Sequence, residues 1–362
     1  MGRLVGETGG RGQHIVVGLL ADPGLPTEIA RRLAGELPGL LADQPREGMR
    51  YEVVMVSETL QRGGDSRGDR LVDLAAQRRE EEGWDFAVCL TDLPVHKNGR
   101  PVVAELSRKA AAAVLVVPAL KVVNPAEQAR DIVVGLILEW VAGEGSVQPL
   151  DRLENRVPSL YQAEPDDDDI DVQLASSAGQ WRMLAGMVRV NRPWRLVLGL
   201  RNALAAAVAT AAFGLVSSPV WQVSAEMSTV RLWVANVVSL VAIIGWLVAN
   251  HQLWQRPKVP EPRERRRIRL YNAATLLTLA IGVLVSYGVL LVGNIFTGWF
   301  VVVPEVFSKA IGRPVSFADY FRLAWLVSSL ATIGGALGSG LESTDTVRSA
   351  TWGRRYQKNR QN

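Results

Sequence analysis

Asp22, Glu58, Thr91 and Asp92 each fall at the end of a short apolar run, and His96, Lys97 and Arg100 follow soon after the last of them. Carboxylates brought together at neighbouring strand ends can hold a divalent metal or orient a polar substrate. The same residue types are also ordinary turn formers, because a short acidic side chain accepts hydrogen bonds from nearby backbone NH groups. Asp22, Glu58, Thr91, Asp92, His96 and Arg100 therefore make up the candidate ligand site, with turn capping as the competing role. Their types name no cofactor and no metal.

Motifs with a defined chemistry are missing. The chain has no G-x-G-x-x-G after its first strand, no G-x-x-x-x-G-K-[ST] phosphate loop and no H-E-x-x-H zinc helix. It has no G-x-S-x-G nucleophile elbow. Three histidines and one cysteine argue against a His/Cys zinc site. The lone Cys89 excludes an intrachain disulfide and fits a reducing compartment. Its setting, Phe86 to Leu90, reads as a buried strand in which the thiol packs.

The elements that must position the candidate site alternate strand and helix. His14 to Ala21, Tyr51 to Val56 and Asp85 to Leu90 are apolar, β-branched runs and read as strands. Thr27 to Leu41 and Asp69 to Glu82 carry leucines at helical spacing between them, which predicts a small parallel sheet. Asn98-Gly99 between short apolar runs is a hairpin signal. A further strand is expected over Ala110 to Val117, and a helix from Asn124-Pro125 to about Val141. The expected fold is an α/β domain over 14–142 with a small mixed, mostly parallel sheet. Met1 to Gln13 is glycine-rich without an apolar core, so it reads as a disordered N-terminus and not as a signal peptide.

Residues 143–172 read as an acidic linker, because Glu164 to Asp171 is a charge run of the kind usually solvated. Contact of that run with the basic segment 256–269 is a second reading. Residues 173–195 read as a juxtamembrane amphipathic helix, with Leu174, Trp181, Leu184, Ala185 and Val188 on one face and Arg182 and Arg189 off it.

Four apolar stretches follow, each long enough to cross a bilayer: 196–217, 232–249, 272–292 and 321–341. They predict an all-α four-helix transmembrane bundle over 196–342, followed by a basic tail over 343–362. The flanks assigned to one side hold 16 Lys and Arg, and those assigned to the other hold 4, which places both termini in the cytosol of a plasma-membrane protein. The basic residues thus point to membrane topology and not to nucleic acid. Arg263 to Arg269 could also attract anionic lipid headgroups. In the second outer loop, Pro304-Glu305 can open a short helix, and Ser316-Phe317-Ala318-Asp319 matches a capping pattern that starts the last helix near Phe317.

Polar groups within the spans are few. Arg201 and Asn202 lie two turns into the first, where the Arg201 stem can carry its charge back to the headgroups. No Asp or Glu lies deep in any span, which weighs against a proton or cation transporter. Gly334-x-x-x-Gly338 permits close helix contact, first within the bundle and second in a homo-oligomer.

The segments Thr91 to Pro94 (TDLP), Leu270 to Thr275 (LYNAAT), Arg322 to Ser329 (RLAWLVSS) and Gly334 to Glu342 (GGALGSGLE) resemble an uncharacterised membrane family of actinobacteria, over most of the chain. Members are sometimes labelled methylene-tetrahydrofolate dehydrogenases. That label implies a cofactor-binding glycine loop, which this sequence lacks, and those soluble enzymes have no counterpart to its hydrophobic half. The resemblance brings no established activity and no functional residues to transfer. Three readings stand: a membrane-anchored binding or regulatory protein of unknown ligand, a membrane-bound enzyme with a strand-end carboxylate site, and a small transporter.

Overall fold

β1 (His14–Ala21), β3 (Phe86–Thr91) and β6 (Ala112–Val116) are nearly unbroken apolar runs, as expected of strands buried on both faces. In the computed structural model they form the centre of one mixed sheet. The structure describes residues 14–42, 49–60, 71–97, 100–142, 160–163, 165, 169–176, 179–191, 201–255 and 262–339. These divide into two compact units, Met1–Val190 and Asn191–Asn362.

In the first unit the strand order is β2-β1-β3-β6-β5-β8-β7, with β2 at Arg50–Ser57, β5 at Arg100–Ser107, β7 at Leu160–Ala163 and β8 at Val172–Ser176. β1 pairs in parallel with β2 and β3, and β3 in parallel with β6. From β6 outwards the pairing to β5, β8 and β7 is antiparallel. The two-residue β4 (His96–Lys97) pairs antiparallel with the start of β5, Lys97 opposite Arg100; the predicted Asn98-Gly99 turn itself lies outside the described residues. Helices α1 (Leu25–Ala42), α2 (Leu71–Glu82) and α3 (Pro125–Ala142) connect and cover the strands. Trp140 of α3 stacks on Phe86 of β3 with ring centroids 4.8 Å apart. Trp84 lies over β1 where Gly18 leaves room, since a Cβ there would meet the indole at 1.8 Å.

Two expectations are corrected here. The sheet is not mostly parallel, because the segment read as an acidic linker supplies β7, and its last residue with the start of the segment read as a helix supplies β8. Val172–Ser176 is buried along its whole length, with Gln173 in register with Glu105 and Leu174 with Ala104. The end of the acidic run is held at the sheet: Arg108 N donates to Asp171 at 2.7 Å, and Lys109 lies 3.6 Å from Asp169. Second, the predicted amphipathic helix starts only after β8. It is α4 (Gly179–Asn191), and its apolar face is packed into the first unit itself. Met183, Leu184, Met187 and Val188 are buried, while Trp181 is 82% exposed. Gly186 lies so close to the 3₁₀ turn Val117–Ala119 that a Cβ would come within 1.9 Å of the Pro118 carbonyl oxygen. Arg182 reaches Gln128 of α3 at 3.4 Å, and burial pulls its guanidinium below its ordinary range.

The second unit is helical: α5 (Arg201–Val216), α6 (Ser218–Glu226), α7 (Thr229–Asn250), α8 (Pro262–Val301), α9 (Pro304–Ile311) and α10 (Phe317–Ser339). Among the described residues three helices are long and apolar enough to cross a membrane: Thr229–Asn250, Ile268–Val301 and Phe317–Gly338. The first expected span, 196–217, is described from Arg201 on as α5 and ends where a bend begins. α5 and α6 meet at an 83° bend at Ser217, and they make a fourth candidate only if counted together. Pro219 sits in the first turn of α6, where a missing NH is tolerated, and Trp221 Nε1 donates to the Leu215 carbonyl left free at the end of α5 (2.7 Å).

The third expected span also grows. α8 is continuous over 40 residues, about 60 Å at 1.5 Å per residue, because no proline interrupts it between Pro262 and Pro304. It takes in arginines of the preceding basic segment and the exposed Phe296, Trp299 and Phe300 that were expected in a loop. α10 is the most buried of the three membrane-length helices. Its start is a reciprocal cap: Asp319 N donates to the Ser316 carbonyl, and Ser316 N to the Asp319 carboxylate, at 3.0 and 2.9 Å.

Candidate functional site

Asp22 sits one residue beyond β1 and is fully buried. A buried carboxylate is costly unless its oxygens are bonded, and here both are. Oδ1 accepts from Leu60 N at 3.0 Å, and Oδ2 from the Thr91 hydroxyl at 2.7 Å and from Asp92 N at 3.3 Å. Asp22 N donates to the Leu90 carbonyl at 3.0 Å, and its own carbonyl accepts from the Thr27 hydroxyl at 2.7 Å. One side chain thus ties together the chain segments leaving β1, β2 and β3.

Glu58 turns away from this knot. Its carboxylate takes both Nε (3.2 Å) and Nη2 of Arg78 on α2. That contact is the main reason the Arg78 guanidinium is held above its ordinary range. Arg78 also reaches Glu81 at 2.9 Å, so Glu58 belongs to an ion-pair network along α2. The strand ends therefore bring Asp22, Thr91 and the Asp92 backbone together, and leave Glu58 in a separate pair. His96 is half-buried on β4, and Arg100 opens β5; the Arg100 side chain lies outside the described residues. Among the described residues no group of three or more His, Cys, Asp or Glu is placed to hold a metal ion. Two participants escaped the sequence reading: Arg78, visible only as one basic residue in a mixed-charge helix, and the Leu60 backbone NH, which no sequence pattern marks.

In the helical unit, Gly334 and Gly338 press α10 against α5. A Cβ at Gly334 would meet the Thr210 hydroxyl at 2.2 Å, and one at Gly338 would meet the Ala206 methyl at 2.4 Å and the Asn202 carbonyl oxygen at 2.8 Å. The glycines thus serve contact inside the unit. Asn202 is exposed, and the Arg201 side chain lies outside the described residues, as do those of Arg263, Arg266 and Arg267. Polar side chains line the inner faces: Asn294 Nδ2 donates to Ser328 Oγ (3.0 Å), and Thr332 Oγ1 to the Ser328 carbonyl (2.8 Å). Asn272 bonds both backbone groups of Gln255 at 3.0 Å, closing the segment after α7.

At the opposite end, Arg322 of α10 donates to the Ser224 and Met227 carbonyls at the C-terminus of α6, where a cation suits the helix dipole. Arg313 pairs with Asp319 through both terminal nitrogens, at 3.0 and 2.6 Å, and this holds its guanidinium above its ordinary range. Trp221, Phe307 and Tyr320 meet in sequence, the first pair tilted and the second edge-to-face, with centroids 5.4 and 5.3 Å apart.

One recess opens among α5, α7, α8 and α10, with about 400 Å³ of empty space including its mouth. Ala207, Ile243, Val283 and Leu290 supply much of its wall. Its hydroxyls are already engaged: Ser286 with the Gly282 carbonyl (2.9 Å), Thr332 with that of Ser328 (2.8 Å), and Tyr287 in a long contact with Ser329 (3.5 Å). The wall it presents is therefore hydrocarbon. No family model, no curated protein and no solved structure matches this chain.

Proposed function

We propose that this is a membrane-anchored binding or regulatory protein, in which the α/β unit carries the recognition surface and the helical unit anchors it. The observation that carries this reading is the engagement of the strand-end carboxylates. Both Asp22 oxygens accept bonds from the protein itself, and Glu58 is paired with Arg78. Neither is left to polarise a substrate or to share a metal, which weighs against the enzyme reading. The hydrocarbon wall of the recess weighs against a path for ions or polar solutes.

The finer topology belongs to the same proposal: the bent α5–α6 pair counts as the first of four spans, both termini are cytosolic, and the membrane is the plasma membrane. The Lys and Arg asymmetry of the flanks supports it. Membership of the actinobacterial membrane family remains part of the proposal, resting on the four segments that resemble it.

The test is a thermal-shift screen of the full chain in detergent against divalent cations, nucleotides and folates, since a ligand of the native state raises its apparent stability by mass action. The binding reading expects a shift that survives Glu58→Gln. A shift abolished by Glu58→Gln, together with turnover of the ligand, would move the assignment to an enzyme.

A further inference from the structure

α8 carries two features on one stripe. At 100° per residue, Arg265, Arg269, Leu276, Ala280, Val283 and Tyr287 fall within about 40° of a common line along the helix. Arg265 and Arg269 are exposed. They belong to a segment of about two turns, Pro262 to Arg269, that holds five arginines and one glutamate. Leu276 and Ala280 form a partly exposed apolar track below them. Val283 and Tyr287 are wall residues of the recess, whose mouth is marked by the half-exposed Leu204 and Leu290.

The spacing along this stripe has a physical scale. Arg269 and Val283 are 14 residues apart, about 21 Å along the axis at 1.5 Å per residue. A bilayer of about 40–45 Å including headgroups has the same distance, about 21 Å, from headgroup layer to midplane. A cationic pair at one end, an apolar track and an apolar recess at the depth where acyl chains end match one anionic phospholipid lying lengthwise on α8. Charge complementarity selects the headgroup, and the engaged hydroxyls of the recess select hydrocarbon over a polar solute.

We propose that α8 holds one anionic phospholipid as a bound ligand, its phosphate at Arg265 and Arg269 and one acyl chain ending in the recess between α5 and α8. This rests on the reading of the helical unit as membrane-embedded. The two are separable, because a chain released from membranes by alkaline carbonate fails the membrane reading, whereas an embedded chain without the lipid fails only this one.

The experiment reconstitutes the full chain in vesicles of equal parts phosphatidylglycerol and phosphatidylcholine, extracts it in mild detergent and weighs the retained lipid by native mass spectrometry. One phosphatidylglycerol per chain is expected. Arg265→Gln with Arg269→Gln should cut the preference over phosphatidylcholine by about fivefold per arginine. Leu204→Trp, which fills the mouth, should shorten retention of the long-chain lipid and leave that of dioctanoyl phosphatidylglycerol unchanged. Equal retention of both headgroups, or retention indifferent to either variant, overturns the proposal. A diazirine-tailed phosphatidylglycerol crosslinked to the unaltered chain should label residues 203–207 and 276–290, and labelling confined to other helices overturns it as well.

Discussion

Asp22 and Glu58 are both strand-end carboxylates, and burial separates their roles. Asp22→Ala leaves the Leu60 and Asp92 NH groups buried or half-buried without their acceptor. Each such loss costs about 1–3 kcal/mol, so the α/β unit should lose roughly 3 kcal/mol or more. Hydrogen exchange of the full chain should show β1 and β3 amides opening together. Glu58 and Arg78 side chains are each 28% exposed, and Glu58→Ala should cost no more than about 1 kcal/mol. A larger penalty at Glu58 than at Asp22 would reverse this assignment. Gly186 gives a second contrast. Gly186→Ala drives a Cβ into the Pro118 carbonyl and should cost about 1–3 kcal/mol. Gly35→Ala, in the middle of α1 with nothing within 4 Å of the new Cβ, should stabilise by about 0.5–1 kcal/mol. Urea titration of both variants checks the pair.

At the scale of elements, β7, β8 and α4 decide where the first unit ends. A fragment of residues 14–142 would leave β5 as an open sheet edge beside exposed core, and should aggregate. A fragment of residues 14–191 should be monomeric and melt cooperatively, which size exclusion and circular dichroism will show. These elements were also the hardest to read in the sequence. The Asn98-Gly99 hairpin and the Ser316–Asp319 cap announce themselves because their chemistry is local. Val172–Ser176 has no such mark: its Gln and two-sided burial make sense only beside β5, some 70 residues earlier. The site shows the same division. Asp22, Thr91 and Asp92 were legible as strand ends, whereas the acceptance of Leu60 N by Asp22 depends on the path of a loop. In the helical unit, Gly338→Leu should force α10 away from α5, and the full chain should lose thermal stability in detergent far more than with Leu337→Ala, whose site is 70% exposed.

For the whole molecule, the membrane prediction is the broadest. Past Arg231 in α7 and past Arg269 in α8 the exposed faces are largely apolar, with Val237, Val241, Val285, Val289 and Val292 each more than 40% exposed. Such surfaces are stable in hydrocarbon and unstable in water. The chain should stay with membranes through carbonate extraction and require detergent for solution. Reporter fusions at the two termini should both read cytosolic, and a fusion placed at Lys309 should read the opposite side.

The right-angle break at Ser217 also sets an order of events during synthesis. α5 and α6 leave the ribosome as one apolar segment, but Arg322, which holds the end of α6, lies 95 residues beyond its Met227 partner. At about 5–20 residues per second, that arginine arrives roughly 5–19 s later. Until then the C-terminal carbonyls of α6 lack their cation, and until Tyr320 is made, two residues earlier, the Trp221–Phe307–Tyr320 cluster lacks its third ring. A nascent chain stopped before Phe317 should therefore keep this region loose and open to membrane proteases, so that the last helix acts as the signal that the outer end is complete.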